Sequence, residues 1–426
     1  MKIIEYPEKK DWKEILQRPV MDAGSLEGVV NEILTKVKTG GDSALKEFSL
    51  KFDKAEITDF LVSEKELREA GQRVSEDLKA AMKVAKNNIE KFHGKQHEIF
   101  DPVETTQGVK CWRKSIGIEK VGLYIPGGSA PLFSTILMLA VPANLAGCKE
   151  IVLCTPPSAD GSVHPAILYA ASLTGISKFY KVGGAQAIGA MAFGTESIPK
   201  VFKIFGPGNQ YVTMAKQLVS KSGVAIDMPA GPSEVAVVAD KFAHAEFVAA
   251  DILSQAEHGV DSHALVVSDD KNLLENVLTE VEKQLQILPR KDLAKISLQK
   301  SKAVLLRDLD EAMDLINEYA PEHLIIQVKG YERLIDKVIN AGSVFLGNYT
   351  PEAAGDYASG TNHTLPTNGY ATAYSGVSLD SFVRKVTFQE INASGLKELG
   401  PVIEIMAEAE QLIAHKNAVT VRLKSL

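Results

Sequence analysis

Val121-Gly122-Leu123-Tyr124-Ile125-Pro126-Gly127-Gly128 is a short β-rich run closed by a glycine turn, and its place at the head of a repeating pattern decides the fold. Residues 134–146 carry apolar side chains at helical spacing, and the alternation then repeats. Strands are predicted at 150–154, 178–182 and 201–205, with amphipathic helices at 166–173, 186–193 and 211–220. Short strands joined by helices argue for right-handed βαβ units and a parallel sheet. The same grammar resumes after Glu234. A strand at 235–238 leads into a helix over 240–258, and a strand at 263–267 leads into a helix over 272–285. Later strands fall at 303–306, 324–328 and 343–346. The expectation is two α/β layers of similar build, one inserted in the other. Upstream, 25–95 is helical and charged, with Gly40-Gly41 as a break and Asp42 or Ser43 as the next cap. Beyond Gly376 the rhythm fades into a mostly helical tail. The predicted division is a tail at 1–20, one Rossmann-like domain of 21–120 with 235–376, a second of 121–234, and a helical domain of 377–426.

The chain has 426 residues, 45% hydrophobic and 24% charged, enough for a sizeable core and more than one domain. A formal charge of −7 with Lys and Arg interspersed among Glu and Asp excludes a nucleic-acid footprint. The first twelve residues lack a signal-peptide core. The most apolar long stretch, 134–147, contains Pro142 and Asn144 and is too short to span a bilayer. A cytoplasmic protein is expected. Cys111, Cys148 and Cys154 show neither metal-ligand spacing nor a disulfide framework, and are read as free buried thiols.

Four places offer chemistry. In Ser254-Gln255-Ala256-Glu257-His258-Gly259, at the end of the helix expected over 240–258, Gln255 and His258 are three residues apart on one face. Asp251 lies a turn back, and Gly259 reads as the stop. An ordinary helix end with a solvated histidine is the alternative. In Tyr319-Ala320-Pro321-Glu322-His323, Pro321 cannot continue a helix, so an acid and an imidazole sit on a fixed turn at a strand entrance, able to play two proton-transfer roles. A surface ion pair is the alternative. Gly355-Asp356-Tyr357-Ala358-Ser359-Gly360-Thr361-Asn362-His363 reads as a polar binding loop or as a plain surface loop. Glu410 and His415 lie in the last helical stretch, where a histidine beside Lys416 is commonly only a dipole contact. His258, His415 and Asp356, with His323 or His363, could supply nitrogen and oxygen donors to Zn²⁺. Glycine turns at Gly127-Gly128, Gly183-Gly184 and Gly206-Pro207-Gly208-Asn209 follow successive strands. None is G-x-G-x-x-G, so they point to a dinucleotide held differently from the usual fingerprint.

Taken in order, these segments, together with Asp227-Met228-Pro229-Ala230-Gly231-Pro232-Ser233-Glu234, resemble the histidinol dehydrogenase family over nearly the whole chain. The resemblance implies two incomplete Rossmann-like domains similar to those of aldehyde dehydrogenases, and a small C-terminal domain exchanged across a homodimer. It implies a two-step oxidation of L-histidinol through L-histidinal to L-histidine, the last steps of histidine biosynthesis, with two NAD⁺ and one Zn²⁺. The zinc ligands, which are also substrate contacts, carry over to Gln255, His258, Asp356 and His415. The proton acceptors carry over to Glu322 and His323. NAD contacts fall on Tyr124, Gln186 and Asn209, and further substrate contacts on Ser233, His323 and Glu410.

That chemistry suits the residues. Zinc can orient the amine and imidazole of histidinol, His323 can take the hydroxyl proton, and Glu322 can activate water for the aldehyde step. Three rival readings are a cysteine-dependent aldehyde dehydrogenase, a zinc hydrolase using Glu322 and His323 without a nucleotide, and a zinc-dependent small-molecule binding protein.

Overall fold

The structure of the protein, a computed structural model, describes residues 1–18, 23–127, 130–229 and 231–426. Gly128 of the first glycine turn, Ala230 of the 227–234 segment and the expected boundary at residues 20 and 21 lie outside the described residues.

In chain order the described strands are β1 (Ile3–Glu5), β2 (Val103–Thr106), β3 (Val109–Gly117), β4 (Lys120–Tyr124), β5 (Glu150–Thr155), β6 (Lys178–Lys181) and β7 (Lys203–Phe205). They continue with β8 (Ala225–Ile226), β9 (Glu234–Ala239), β10 (His263–Ser268), β11 (Lys302–Leu305), β12 (His323–Gln327), β13 (Ser343–Leu346) and β14 (Val383–Ile391). Two parallel sheets carry the fold, one ordered β6-β5-β4-β7-β8 and the other β1-β11-β10-β9-β12-β13. Each sheet reverses its direction of growth once, between β4 and β7 and between β9 and β12, as doubly wound Rossmann-like sheets do.

Both sheets are covered on both faces, which is why β9, β10 and β12 are buried at every position. On one face of the five-stranded sheet, Val30, Val37 and Leu45 of the helix Ala23–Phe48 pack with Ile188, Met191 and Val212. On the other, Ile136, Leu139 and Val141 pack with Met82, Ile89 and Leu168. The helices Glu64–Arg73 and Glu76–Gly94 lie against Pro165–Leu173 and Phe133–Leu145. By these contacts residues 23–94 cover the sheet formed from 120–226, whereas the sequence reading groups 21–120 with 235–376. The six-stranded sheet has a similar pair of cores, one around Ile252, Leu274 and Val277 and the other around Trp12, Met313 and Ile316. No described helix is long and apolar enough to cross a membrane.

Three expectations need correction. The helix expected over 240–258 spans only Ala245–Ala256. The Asp240 carboxylate accepts from the N–H groups of Phe242 and Lys329, at 3.0 and 3.1 Å, and this local turn holds 240–243 off the helix. Phe242 is therefore exposed, His258 lies beyond the helix end, and Gly259 does not supply a left-handed stop. The tail after Gly376 is not mainly helical at its start: β14 pairs antiparallel with β3 over nine residues, and β2 completes a three-stranded sheet. Its β-branched residues Val383, Val386, Thr387 and Ile391 carried the strand signal. The N-terminal segment is tied down rather than a free tail, because β1 extends the six-stranded sheet beside β11.

Candidate active site

The amino ends of β9 and β12 meet a short helix, Glu352–Tyr357, and there the chemistry collects. The helix Leu309–Tyr319 stops at Ala320, which adopts a left-handed conformation with φ 51°, and Pro321 forbids its continuation. Glu322 and His323 are then delivered directly to the start of β12. Both are buried, so the surface ion pair is excluded. A Glu322 carboxylate oxygen accepts from the Glu234 N–H at 3.0 Å. The His323 Nδ1 lies 3.3 Å from the Glu234 carbonyl and 3.7 Å from a Glu352 oxygen, while its Nε2 is 3.5 Å from Asp356.

Glu352 and Asp356 stand four residues apart on one helix face. Their ligand atoms and one of His258 all lie within 4.8 Å of one another. Glu352 is the member that sequence reasoning misses; its signal is the Pro351-Glu352 helix start one turn before Asp356. Asp251 supports this helix from below. Its carboxylate accepts from the Gln327 side-chain amide at 2.8 Å and from the Glu352 backbone N–H, while burial pushes its pKa up to about 7. Gln255 ends the helix Ala245–Ala256 fully buried, and neither its amide oxygen nor its nitrogen has a hydrogen-bond partner. Such a group is costly unless something outside the polypeptide pairs with it.

The electrostatics are those of three acids around one imidazole. Burial pushes Glu322 and Glu352 up to about 8 each, against the pull of His323. Burial alone would lower His323, but the charges of Glu352, Glu322 and Asp356 outweigh it and raise it to about 10. Asp356 is held below its ordinary value because His323 outweighs its burial. His258 is exposed on one side, and the protein packed around the rest of the ring lowers its pKa. Burial lowers the His363 pKa, and its Nδ1 lies 2.9 Å from the Asp356 carbonyl and its Nε2 3.2 Å from the Thr135 hydroxyl. Through this histidine, and through Asn362 donating to the Met138 carbonyl, the polar loop is bolted to the helix Phe133–Leu145 that covers the five-stranded sheet.

At the carboxyl ends of β4 to β7 lies a cavity of about 950 Å³ whose walls include Tyr124, Gln186 and Asn209. The Tyr124 hydroxyl accepts from the Gly184 N–H at 3.0 Å. The Asn209 side-chain oxygen caps the next helix, accepting from Tyr211 and Val212. The glycines serve close packing here: a Cβ on Gly127 or Gly183 would strike Pro156, and one on Gly206 would strike the Tyr124 carbonyl. A buried Lys216–Asp227 ion pair props the turn, Lys216 donating to the Gly206 carbonyl and Asp227 accepting from the Gly206 N–H.

A model of the family described as histidinol dehydrogenase matches residues 16–423. The chain belongs to the histidinol dehydrogenase family. It is accordingly an oxidoreductase. A histidinol dehydrogenase of Bacteroides fragilis is 61% identical over 426 residues, covering all of both chains. One of Yersinia pestis is 51% identical over 417 residues, 97% of this chain and 93% of its own. The crystal structure of histidinol dehydrogenase from Elizabethkingia anophelis, 56% identical, superimposes with a TM-score of 0.98 over 100% of this chain and 98% of that one.

The remaining expected site residues lie as follows. Ser233 is partly buried just before β9. Glu410, just past the helix Ala393–Ala409, and His415, on the helix Ile413–Leu423, are both exposed, and the two helices pack on each other. Among the described residues His415 does not join the His258–Glu352–Asp356 cluster. Among the thiols only Cys154 is buried; Cys111 and Cys148 are partly exposed, and all three are free.

Proposed function

We propose that the chain oxidises L-histidinol through L-histidinal to L-histidine, reducing two NAD⁺ with the help of one Zn²⁺. The observation that carries this reading is the buried Glu322–His323 pair set beside a cluster of metal-type donors and the orphaned Gln255 amide. Those donors fit zinc: a nitrogen of His258, carboxylates of Asp356 and Glu352, and an amide oxygen with no protein partner. Bound there, zinc would orient the amine and imidazole of the substrate and, as a positive charge beside Asp356, would loosen the proton on His323.

The polypeptide supplies the proton chemistry. His323, gripped by the Glu234 carbonyl and by acids on two sides, accepts the hydroxyl proton as the alcohol carbon loses hydride to the nicotinamide. Glu322, fixed by the Glu234 N–H, takes a proton from the water that attacks the aldehyde. The cavity at the ends of β4 to β7, with Tyr124, Gln186 and Asn209 on its walls, suits the dinucleotide. The rival cysteine mechanism is disfavoured because burial pushes Cys148 up to about 11 and Cys154 higher still, away from the thiolate.

The tail helices expose Val402, Ile405, Met406, Leu412 and Ile413, an apolar face that a partner copy of the chain would cover. In this reading the tail is exchanged in a homodimer, and Glu410 and His415 complete the partner's site. A cytoplasmic biosynthetic setting accords with it. The deciding experiment is NADH absorbance on adding histidinol and NAD⁺, with and without a chelator. Two NADH per histidinol, abolished by chelation and restored by Zn²⁺, is expected; turnover indifferent to complete metal removal would overturn the zinc assignment.

A further inference from the structure

The five-residue π-helix Ser49–Asp53 ends at the wall of the large cavity, and Asp53 is the one acid among the described residues that line it. None of those lining residues is Lys or Arg. One Asp53 carboxylate oxygen is buried without a hydrogen-bond partner, in a chain where buried carboxylates are otherwise mostly paired. Burial pushes the Asp53 pKa up to about 6, so the group is largely ionised at neutral pH while lacking donors. A carboxylate in that state is stabilised by whatever brings O–H groups to it.

Position narrows the choice of ligand group. The catalytic cluster reaches the five-stranded lobe through the His363–Thr135 contact, on the face covered by the helix Phe133–Leu145. Asp53 follows the helix Ala23–Phe48, which packs on the opposite face. A dinucleotide crossing the strand ends with its nicotinamide toward Glu322 and His323 therefore brings its adenosine half to Asp53. Phe52 and Tyr211, both partly exposed on the same cavity, offer aromatic faces there. Among the described residues no other acid lines this cavity: β5 is followed by Pro156, Pro157 and Ser158, and Asp227 after β8 is held by Lys216 and the Gly206 N–H.

We propose that Asp53 accepts hydrogen bonds from the diol of the adenosine ribose and so selects the dinucleotide without a 2′-phosphate. The inference rests on the reading of this cavity as the NAD⁺ site. A 2′-phosphate would remove one donor and set about two like charges against this partly buried carboxylate, with no lysine or arginine among the described lining residues to offset them.

Calorimetric titration of the zinc-loaded enzyme with NAD⁺ and with NADP⁺ tests the inference, using wild type, Asp53→Asn, Asp53→Ser and Ala130→Trp. Ala130 is an exposed lining residue, so the indole fills the cavity mouth without entering a core. The wild type should prefer NAD⁺ strongly. Asp53→Ser should weaken NAD⁺ about ten-fold or more, the size of lost charged hydrogen bonds, and should bring the two nucleotides closer in affinity. Asp53→Asn should narrow the ratio by removing the repulsion while keeping the shape. Circular dichroism and an unchanged KM for histidinol would show that the fold and the second substrate are intact. NAD⁺ binding lost in Ala130→Trp but an unchanged nucleotide ratio in both Asp53 variants would overturn the role of Asp53 alone. NAD⁺ binding undiminished in Ala130→Trp would remove the nucleotide from this cavity, and the underlying reading with it.

Discussion

The Glu234 N–H donates to the Glu322 carboxylate at 3.0 Å, joining the first residue of β9 to the residue that precedes β12. The Glu234 side chain turns the other way. Fully buried, it accepts from the Arg18 guanidinium at 2.6 and 2.9 Å and from the Tyr319 hydroxyl at 3.2 Å. Arg18 also lies 4.0 Å over the Tyr319 ring. The proposed catalytic base, Glu322, is thus braced by a residue whose own side chain is anchored to the N-terminal segment.

Arg18→Met should strand a buried carboxylate and cost about 3–5 kcal/mol of stability at neutral pH. The sign with pH follows from Glu234. Burial by itself would raise its pKa, but the His263 ring 3.4 Å away and the hydrogen-bonded Arg18 guanidinium outweigh burial and hold it below the ordinary value. Its stabilisation is therefore present above the unfolded glutamate pKa, about 4.3, and fades as pH falls through the lower folded value. With Arg18 gone the Glu234 pKa should rise, so the variant suffers most near neutrality and the gap to wild type narrows in acid. Urea unfolding at pH 7.5 and at pH 4 measures both differences; an equal gap at the two pH values would contradict the argument.

Glu322→Gln keeps the shape and can still accept from Glu234, but it cannot take a proton from water. Histidinal oxidation should fall by about 100-fold or more, with the alcohol step much less affected. His323→Asn should slow the alcohol step as well, since it removes the group that faces Asp356 and Glu352. Single-turnover assays started from histidinol or from histidinal separate the two steps. Equal losses on both substrates for Glu322→Gln would undo the division of labour.

His258→Ala and Asp356→Ala should each lose zinc while retaining the fold, because these side chains hold a site rather than fill a core. Glu352→Gln is the more discriminating variant. If Glu352 serves mainly to grip His323 from 3.7 Å, zinc content should survive and turnover should drop. Metal analysis beside circular dichroism reads this directly. Full zinc occupancy in the His258 and Asp356 variants would show the ligand assignment to be mistaken.

Much of this was legible in the residues because strand and helix periods differ, and the two parallel sheets follow from that alternation. Pro321 announced the turn that delivers Glu322 and His323 to β12. Glu352 was not legible: an acid after a proline looks like any helix start, and its role exists only because the β12–β13 pairing brings the following helix back over His323. β14 was hidden for a similar reason, since its half-exposed residues gain meaning only from the distant partner β3. The late start of the helix at Ala245 came from a side-chain turn at Asp240, which outcompeted a pattern that otherwise began there. Asp53 gave no periodic signal at all; its environment is a cavity built by four other strand ends.

The last prediction concerns the tail. His415 is exposed on a helix that packs chiefly against its neighbour Ala393–Ala409, and that pair leaves a row of apolar side chains uncovered. So small a unit buries little core by itself and should dock on a partner chain, carrying His415 into the partner's His258 site. Take one chain bearing His258→Ala and another bearing His415→Ala, each inactive alone. In a mixed dimer with exchanged tails, one site collects both defects and the other collects neither. With random pairing about a quarter of all sites are then intact, and activity should recover to about that fraction of wild type. If the two histidines of one site came from a single chain, every site in the mixture would carry one defect. Co-expression with two different affinity tags isolates the mixed dimers, in which one site of the two should be active. Verified mixed dimers without NADH production from histidinol would mean that each site is built within one chain.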